Sequence, residues 1–235
     1  MKRAVMPAKV AGGSATLEMD IGAVRGAQAR ATWTPAEAAD LGGRVVIVAL
    51  FTLIAIRIGG DFFATGRLTG LLLLASETLV VVLTVMRRST SIIDRSYRAR
   101  ILTALSLLGP MLVRPSSVAA LAPEVMTVLL SAAGLVIVIG GKLSLGRSFG
   151  LMPANRGIVS SGLYKLVRHP IYMGYLITHT GFVAANPTLW NIVMLVGADL
   201  ALMSRAVCEE ETLQKDEAYR SYQQMVRWRV VPGIF

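Results

Sequence analysis

The sequence predicts an all-α protein, a polytopic helical bundle integral to a membrane. Hydrophobic residues make up 54% of the 235 positions and charged residues only 16%, whereas an ordinary soluble domain has about 25% charged residues. The mean hydropathy is +0.60. A chain this apolar cannot keep its hydrophobic side chains inside a small soluble core, so we expect lipid to cover much of it.

Six apolar stretches are candidates for membrane-spanning helices, each of which needs roughly 20 mainly apolar residues. In chain order they are Leu41–Ile58, Leu68–Met86, Ile101–Val113, Val125–Leu145, Ile171–Ala185 and Thr188–Ser204. The third and the fifth are short, and a short segment can be tilted, can thin the bilayer or can be re-entrant. The sequence therefore predicts about six spans, with five as the alternative.

The basic residues indicate how these spans are oriented. With six spans and a cytoplasmic N-terminus, the cytoplasmic segments carry 21 of the 24 Lys and Arg residues, and only Arg57, Arg67 and Arg114 lie on the other side. This distribution follows the positive-inside rule, and an odd number of spans would place one basic cluster on the wrong side. We expect both termini in the cytoplasm and the plasma (inner) membrane as the location.

Three regions follow from this layout. Residues 1–40 are rich in Ala and Gly and lack the continuous apolar core of a signal peptide, so we expect a mobile N-terminal tail. Residues 41–145 supply the N-terminal transmembrane helices. Residues 146–235, with a loop, a helical hairpin and a C-terminal helix, are expected to carry the function.

Charge and cysteine content argue against nucleic acid and against metal ions as ligands. The net charge is +10 and the pI 10.4, but the basic residues are spread over loops next to the membrane, which favours contact with anionic membrane lipids over nucleic acid. Cys208 is the sole cysteine, and His169 and His179 are not spaced as ligands on one helix face. We expect no metal site.

Three polar side chains inside the apolar stretches allow two interpretations. Glu77 lies in the second stretch, His179 in the fifth and Asp199 in the sixth. Ionisable groups in a membrane are unfavourable unless they face a partner or a wet cavity, so these three could carry protons or ions. Alternatively, each forms a hydrogen bond to a neighbouring helix and only fixes packing.

Chemistry is concentrated around the last two spans. A glycine-containing loop leads into Tyr164, Arg168 and His169, and Pro170 then opens a helix, where backbone N–H groups and the helix dipole favour an anion. Arg168 offers a charge to a phosphate or carboxylate. After the sixth span, Arg205 and Glu209 are spaced to share one helix face.

Two motifs in this region resemble a known family. Gly-x-Tyr-x-x-x-Arg-His-Pro-x-Tyr-x-Gly at 162–174 is followed by Arg-x-x-x-Glu-Glu-x-x-Leu at 205–213, and Tyr219, Tyr222 and Val231-Pro232 close the chain. This succession resembles the isoprenylcysteine carboxyl methyltransferase family. The resemblance makes residues 146–235 a methyltransferase core.

The resemblance also implies S-adenosylmethionine as the cofactor, in a cytoplasmic pocket built from the last two spans and their flanking loops. Carried over by position, the cofactor contacts are Arg156, Gly157, Ile158, Val159, Tyr164, His169, Pro170, Ile171, Tyr172 and Glu209, and Arg205 is the catalytic and substrate-binding residue. No Gly-x-Gly occurs in the chain, so the phosphate-loop signature of a Rossmann-type site is absent.

The function expected from these residues is methyl transfer from S-adenosylmethionine to the carboxylate of a lipophilic acceptor, such as a C-terminal isoprenylcysteine. A carboxylate nucleophile is already ionised, so positioning in a dry site supplies most of the rate and no general base is needed. The architecture also resembles phospholipid N-methyltransferases, whose amine acceptor must lose a proton. A non-catalytic transport or packing protein that uses Glu77, His179 and Asp199 is the alternative of another class.

Overall fold

A computed structural model describes residues 35–65, 68–88, 90, 92–114 and 116–235. Within these ranges the regular elements are helices, and the strand-like pairing is one isolated bridge between Ile93 and Ala154. The helices are α1 (Pro35–Thr65), α2 (Leu68–Met86), α3 (Tyr97–Met111), α4 (Glu124–Leu145), α5 (Pro170–Ala185), α6 (Leu189–Leu213) and α7 (Glu217–Met225), and 3₁₀ turns occur at Gly146–Ser148 and Gly162–Lys165.

Each predicted apolar stretch coincides with one of the helices α1 to α6, but α1 and α6 are much longer than predicted, and α3 begins at Tyr97, four residues before its predicted start. Helix α1 begins at Pro35, inside the predicted mobile tail, because Pro suits a first helical turn and Ala and Glu are strong helix formers. The rest of that predicted tail, residues 1–34, lies outside the described residues. Helix α6 continues past Ser204 to Leu213, as the shared face of Arg205 and Glu209 requires.

Within the described residues, two helical segments are long and apolar enough to cross a membrane. Glu124–Ser148 has a mean hydropathy of 2.1 and Leu189–Leu213 one of 1.5, and both contain 25 residues. At about 1.5 Å per residue such a segment exceeds the roughly 30 Å hydrocarbon core of a bilayer. Leu74–Met86, within α2, is a shorter apolar helix.

The outer faces of α3 and α6 are apolar, which is the reverse of a soluble protein. Both helices carry large hydrophobic side chains at helical spacing that are about half exposed or more. They are Ile101, Leu105, Leu108 and Leu112 at and just beyond α3, and Leu189, Val193, Val196 and Leu200 on α6. Continuous exposed apolar stripes of this kind are typical of helices surrounded by lipid.

Helices α4 and α5 approach each other closely through glycines. A Cβ atom at Gly134 would lie 2.6 Å from the carbonyl oxygen of Gly174, and a Cβ at Gly174 would lie 2.7 Å from the carbonyl oxygen of Gly134. Seven residues further along α4, a Cβ at Gly141 would lie 2.7 Å from Cγ1 of Ile171. Small residues allow such backbone contact between membrane helices. The start of α5 is thereby fixed against α4.

Gly174→Ala is expected to lower the melting temperature of the protein. The added methyl group meets backbone atoms, which cannot move aside as a side chain can, and overpacking of this kind costs about 1–3 kcal/mol. Gly197→Ala is the matched control, because nothing lies within 4 Å of a Cβ added at this position in α6. Thermal melts of both variants in detergent test the contact, and equal melting temperatures would contradict it.

Candidate functional site

The two sequence motifs meet where α5 begins and α6 ends. Tyr172, in the first turn of α5, donates its hydroxyl to Oε1 of Glu209 in α6 at 2.6 Å. Nδ1 of His169 lies 3.6 Å from Oε2 of the same carboxylate. The rings of His169 and Tyr172 stack with their centroids 5.2 Å apart, because residues three positions apart at a helix start lie on one side.

Arg205 joins this group from one helical turn before Glu209. The residue is 5% exposed, and its Nε and Nη2 atoms each lie 3.1 Å from Oε1 of Glu209. Nη2 also donates to the carbonyl of Leu151, and the guanidinium carbon lies 5.6 Å from the centroid of the Tyr172 ring. One carboxylate therefore neutralises a buried cation and orients a phenol.

Glu210, the next residue, collects donors from three parts of the chain. Its carboxylate accepts hydrogen bonds from Nε of Arg168 at 2.8 Å, from Nε2 of Gln223 at 3.1 Å and from Nε of Arg229 at 2.9 Å. Nε2 of His169 lies 3.3 Å from its Oε1 atom. Glu210 is 1% exposed, and a buried carboxylate is tolerated only with such partners. Glu210 therefore connects the start of α5 with α7 and with the C-terminal segment, residues 226–235, that follows α7.

The C-terminal segment continues this contact through its backbone. The amide of Arg168 donates to the carbonyl of Trp228 at 2.9 Å, and the amide of His169 donates to the carbonyl of Arg229 at 2.7 Å. Nη1 of Arg168 donates to two further carbonyls of the segment, at 2.8 and 2.9 Å. The charge of Arg168, which the sequence offered to a ligand, is therefore neutralised by Glu210.

The loop between α4 and α5 is fixed from two sides. The amide of Asn155 donates to the carbonyl of Ile92 at 3.0 Å, and its side-chain amide donates to Oδ2 of Asp216, just before α7, at 2.8 Å. Gly157 follows with a φ of 103°, a conformation that favours glycine. The hydrogen bond between Asn155 and Asp216 thus helps to hold the loop against the start of α7.

This contact is expected to weaken in acid. The hydrogen bond from Asn155, followed by that from the Ala218 amide, lowers the pKa of Asp216 below its usual value of 3.8. A lowered folded-state pKa means that the charged form stabilises the fold above the unfolded pKa, and that this contribution is lost as the pH falls through the folded pKa. Asp216→Asn keeps an acceptor oxygen without the charge. The difference in melting temperature between wild type and this variant should shrink as the pH falls below 3.8; a constant difference would contradict the assignment.

A cavity of about 100 Å³, partly open to solvent, lies between the loop, the start of α5, the end of α6 and α7. Its wall combines charged, glycine and aromatic residues. They are Leu145, Ser148, Gly150, Met152, Ala154, Arg156, Gly157, Ile158, Val159, Tyr164, Arg168, His169, Glu209, Leu213, Tyr219 and Tyr222. Burial raises the pKa of Tyr164, and it raises that of Tyr222 to about 12, so both phenols are protonated at neutral pH.

The structure brings most of the residues predicted to bind the cofactor to this wall. Arg156, Gly157, Ile158, Val159, Tyr164, His169 and Glu209 line the cavity. Pro170, Ile171, Tyr172 and Arg205 are buried beside it and are not part of the wall. Of these, Tyr172 and Arg205 contact the cavity-lining carboxylate of Glu209.

Sequence reasoning gave no role to three residues of this region. Tyr219 and Tyr222 line the cavity from α7, and their i, i+3 spacing on a short polar helix was the available signal. Glu210 stands next to Glu209 in the sequence, and that adjacency hides its separate role, because neighbouring helix residues point in different directions. Its partners become visible only when α7 and the C-terminal segment are in place.

The three polar residues that the sequence places inside apolar stretches, Glu77, His179 and Asp199, lie in contacts separate from the cavity. Nδ1 of His179 lies 2.6 Å from Oδ1 of Asp199, so these two residues form a hydrogen bond between α5 and α6. Glu77 accepts from Oγ of Ser76 at 3.3 Å, and Nζ of Lys142 donates to the same Oγ at 2.7 Å. Among the described residues, no group of three or more His, Cys, Asp or Glu side chains is arranged to hold a metal ion.

Comparison with known families points to one class of protein. Residues 123–220 match the family model for phospholipid methyltransferases. The matched region covers less than half of the chain but includes α4, α5, α6 and the complete cavity wall except Tyr222. No match was found among curated proteins or among solved structures. The match supports a membrane methyltransferase and leaves the acceptor unspecified.

Proposed function

We propose that this chain is a membrane methyltransferase that moves a methyl group from S-adenosylmethionine to a lipophilic acceptor. One observation carries the proposal: Tyr172 and His169 converge on Glu209 at a cavity inside the region that matches the phospholipid methyltransferase family.

The chemistry of the wall suits this cofactor. Glu209 offers carboxylate oxygens to hydroxyl or ammonium groups, Arg156 offers a cation to a carboxylate, and Tyr164 offers an aromatic face to a cation. When bound, S-adenosylmethionine would supply an electrophilic methyl group: the acceptor forms a bond to the methyl carbon as its bond to the sulfonium sulfur breaks, and S-adenosylhomocysteine leaves. The protein positions the groups and excludes water; it forms no bond itself.

The residue roles follow from the placement. The residues at 156–159, Tyr164, His169 and Glu209 are proposed to contact the cofactor directly. We propose an indirect role for Pro170, Ile171 and Tyr172. Pro170 and Ile171 form the backbone at the start of α5, next to the cofactor, and Tyr172 orients the carboxylate of Glu209. Arg205 is proposed to hold the acceptor. Its guanidinium then has to bind the acidic group of the acceptor while it keeps its contact with Glu209.

The pocket is proposed to open to the cytoplasm, with six spans and both termini on that side. The distribution of Lys and Arg between the loops supports this orientation. The apolar outer faces support membrane-embedded positions for α6, which contributes to the pocket, and for α3, which packs against α6. Arg205 directly follows the predicted sixth span, Thr188–Ser204, and in this orientation it lies at the depth of the lipid head groups.

Two acceptors remain, and each has an observation in its favour. The buried cation of Arg205 favours a carboxylate, such as that of an isoprenylcysteine. The family match favours the amine of a phospholipid head group. An amine must first lose a proton, and His169, next to two carboxylates, is the candidate base for that step.

A methyl-transfer assay in liposomes separates these candidates. Purified protein is incorporated with either farnesylcysteine or phosphatidylethanolamine, and transfer of label from methyl-labelled S-adenosylmethionine is measured. Label in one acceptor, lost in Glu209→Gln, is the expected result. A transport protein would instead show proton flux that depends on Asp199 and no label in either acceptor, and that outcome would refute the proposal.

A further inference from the structure

Tyr219 of α7 carries a buried hydroxyl that the protein leaves unpaired. The residue is 3% exposed, and no hydrogen-bond partner for its oxygen is present in the part of the chain that the structure describes. Buried polar groups are almost always paired, because water that is lost on burial has to be replaced. An unpaired hydroxyl in the wall of a cavity therefore points to a partner on the molecule that the cavity takes.

The hydroxyl of the neighbouring Tyr222, in contrast, is hydrogen-bonded within the protein. Tyr222 donates its hydroxyl to the carbonyl of Tyr164 at 2.7 Å. The rings of Tyr219 and Tyr222 are 5.7 Å apart and tilted by 57°. Both residues line the cavity, so the same face of α7 presents one hydroxyl that is used within the protein and one that is not.

The surroundings of Tyr219 indicate which kind of group would meet it. Tyr164, Tyr219 and Tyr222, the tyrosine cluster, pack with Ile158 and Val159. This part of the wall is aromatic and aliphatic, and it suits a flat heteroaromatic ring whose faces are apolar and whose edge carries nitrogen acceptors. The charged groups of the wall suit a zwitterionic amino-acid group instead.

Tyr219 also has the protonation state of a donor. Burial is the main cause that raises the pKa of Tyr219 above its ordinary value of 10.0, and the negative charge of Glu210 adds to it. The hydroxyl keeps its proton at neutral pH, so a ring nitrogen is a suitable acceptor for it.

We propose that Tyr219 is a cofactor-binding residue whose hydroxyl donates to the adenine ring of the bound S-adenosyl compound, which lies against the tyrosine cluster. This inference rests on the proposed function and adds to it an orientation for the cofactor. The adenine of the cofactor lies against the aromatic part of the wall, which α7 helps to form. The amino-acid group of the cofactor lies towards Arg156 and Glu209. Helix α7 thereby becomes part of the binding site.

The test compares Tyr219→Phe with the matched variant Tyr222→Phe. Isothermal titration of detergent-purified protein measures the affinities for S-adenosylhomocysteine and for 5′-methylthioadenosine, which lacks the amino-acid group. Tyr219→Phe should weaken both ligands by about ten-fold. Without ligand it should melt no lower than wild type, because it removes only an unpaired group, whereas Tyr222→Phe loses a bond to Tyr164 and should melt lower.

Three results would overturn the inference while wild type still binds both ligands. The first is an affinity of Tyr219→Phe within about two-fold of wild type. The second is a loss confined to S-adenosylhomocysteine, which would move the contact away from the adenine. The third is a lowered melting temperature without ligand, which would show a partner within the protein. If wild type binds neither ligand, the proposed function fails and the inference fails with it.

Discussion

Glu210→Ala is expected to destabilise the protein more than any substitution on the surface of α6. Removal of the carboxylate leaves Arg168, whose side chain is 9% exposed, without its counter-charge. Breaking a buried ion pair by removing one partner costs about 3–5 kcal/mol, which is a large share of the roughly 5–15 kcal/mol that stabilises a typical domain. The ion pair with Arg229 is lost as well, whereas the backbone hydrogen bonds between the start of α5 and the C-terminal segment remain.

The adjacent Glu211 provides the matched control for this substitution. Its contact with Arg98, at 3.6 Å, joins two side chains that are 58% and 56% exposed, and such surface pairs contribute about 0–1 kcal/mol. Thermal melts of Glu210→Ala and Glu211→Ala in detergent should therefore differ by many degrees. Similar melting temperatures would show that the contacts of Glu210 do not hold the start of α5 against the C-terminal segment.

Arg205→Ala is expected to reduce methyl transfer by about 100-fold, because the acceptor loses the cation that positions its reacting group. Affinity for S-adenosylhomocysteine should fall far less, since Tyr172 still donates to the carboxylate of Glu209. Glu209→Gln should show the opposite pattern, with weaker cofactor binding as its main effect. Steady-state kinetics combined with equilibrium titration separates the two quantities.

One outcome of these measurements would contradict the role proposed for Arg205. If Arg205→Ala and Glu209→Gln weaken S-adenosylhomocysteine equally and leave turnover of bound enzyme unchanged, Arg205 has no role of its own towards the acceptor. Arg205→Lys refines the result. It keeps the charge but loses the planar donor pair that fits a carboxylate, so partial recovery of turnover is expected.

The helices of this protein were predictable because apolar length is a local property of the sequence. Each of the helices α1 to α6 coincides with an apolar stretch, and the start of α5 at Pro170 follows from the suitability of proline for a first turn. The approach of Tyr172 to Glu209 was also predictable, because the two motifs flank one helical hairpin. The boundaries of α1 were less so, since its first turns are helical through propensity and not through hydrophobicity.

The contacts of Arg168 and Glu210, and the unpaired hydroxyl of Tyr219, could not be predicted from the sequence. Arg168 stands in a motif whose neighbours line the cavity, and only the folded C-terminal segment shows that its charge is already neutralised. Glu210 depends on the same segment. The unpaired hydroxyl of Tyr219 is a property of the packed structure, because pairing depends on groups that are distant in the chain.

Equilibrium binding of S-adenosylhomocysteine to the detergent-purified wild-type protein tests the central claim most directly. Saturable binding of one ligand per chain, weakened by at least about ten-fold in Glu209→Gln, is the predicted result. Absence of binding to protein that still melts cooperatively, or binding that Glu209→Gln leaves unchanged, would contradict a cofactor pocket at the junction of α5 and α6.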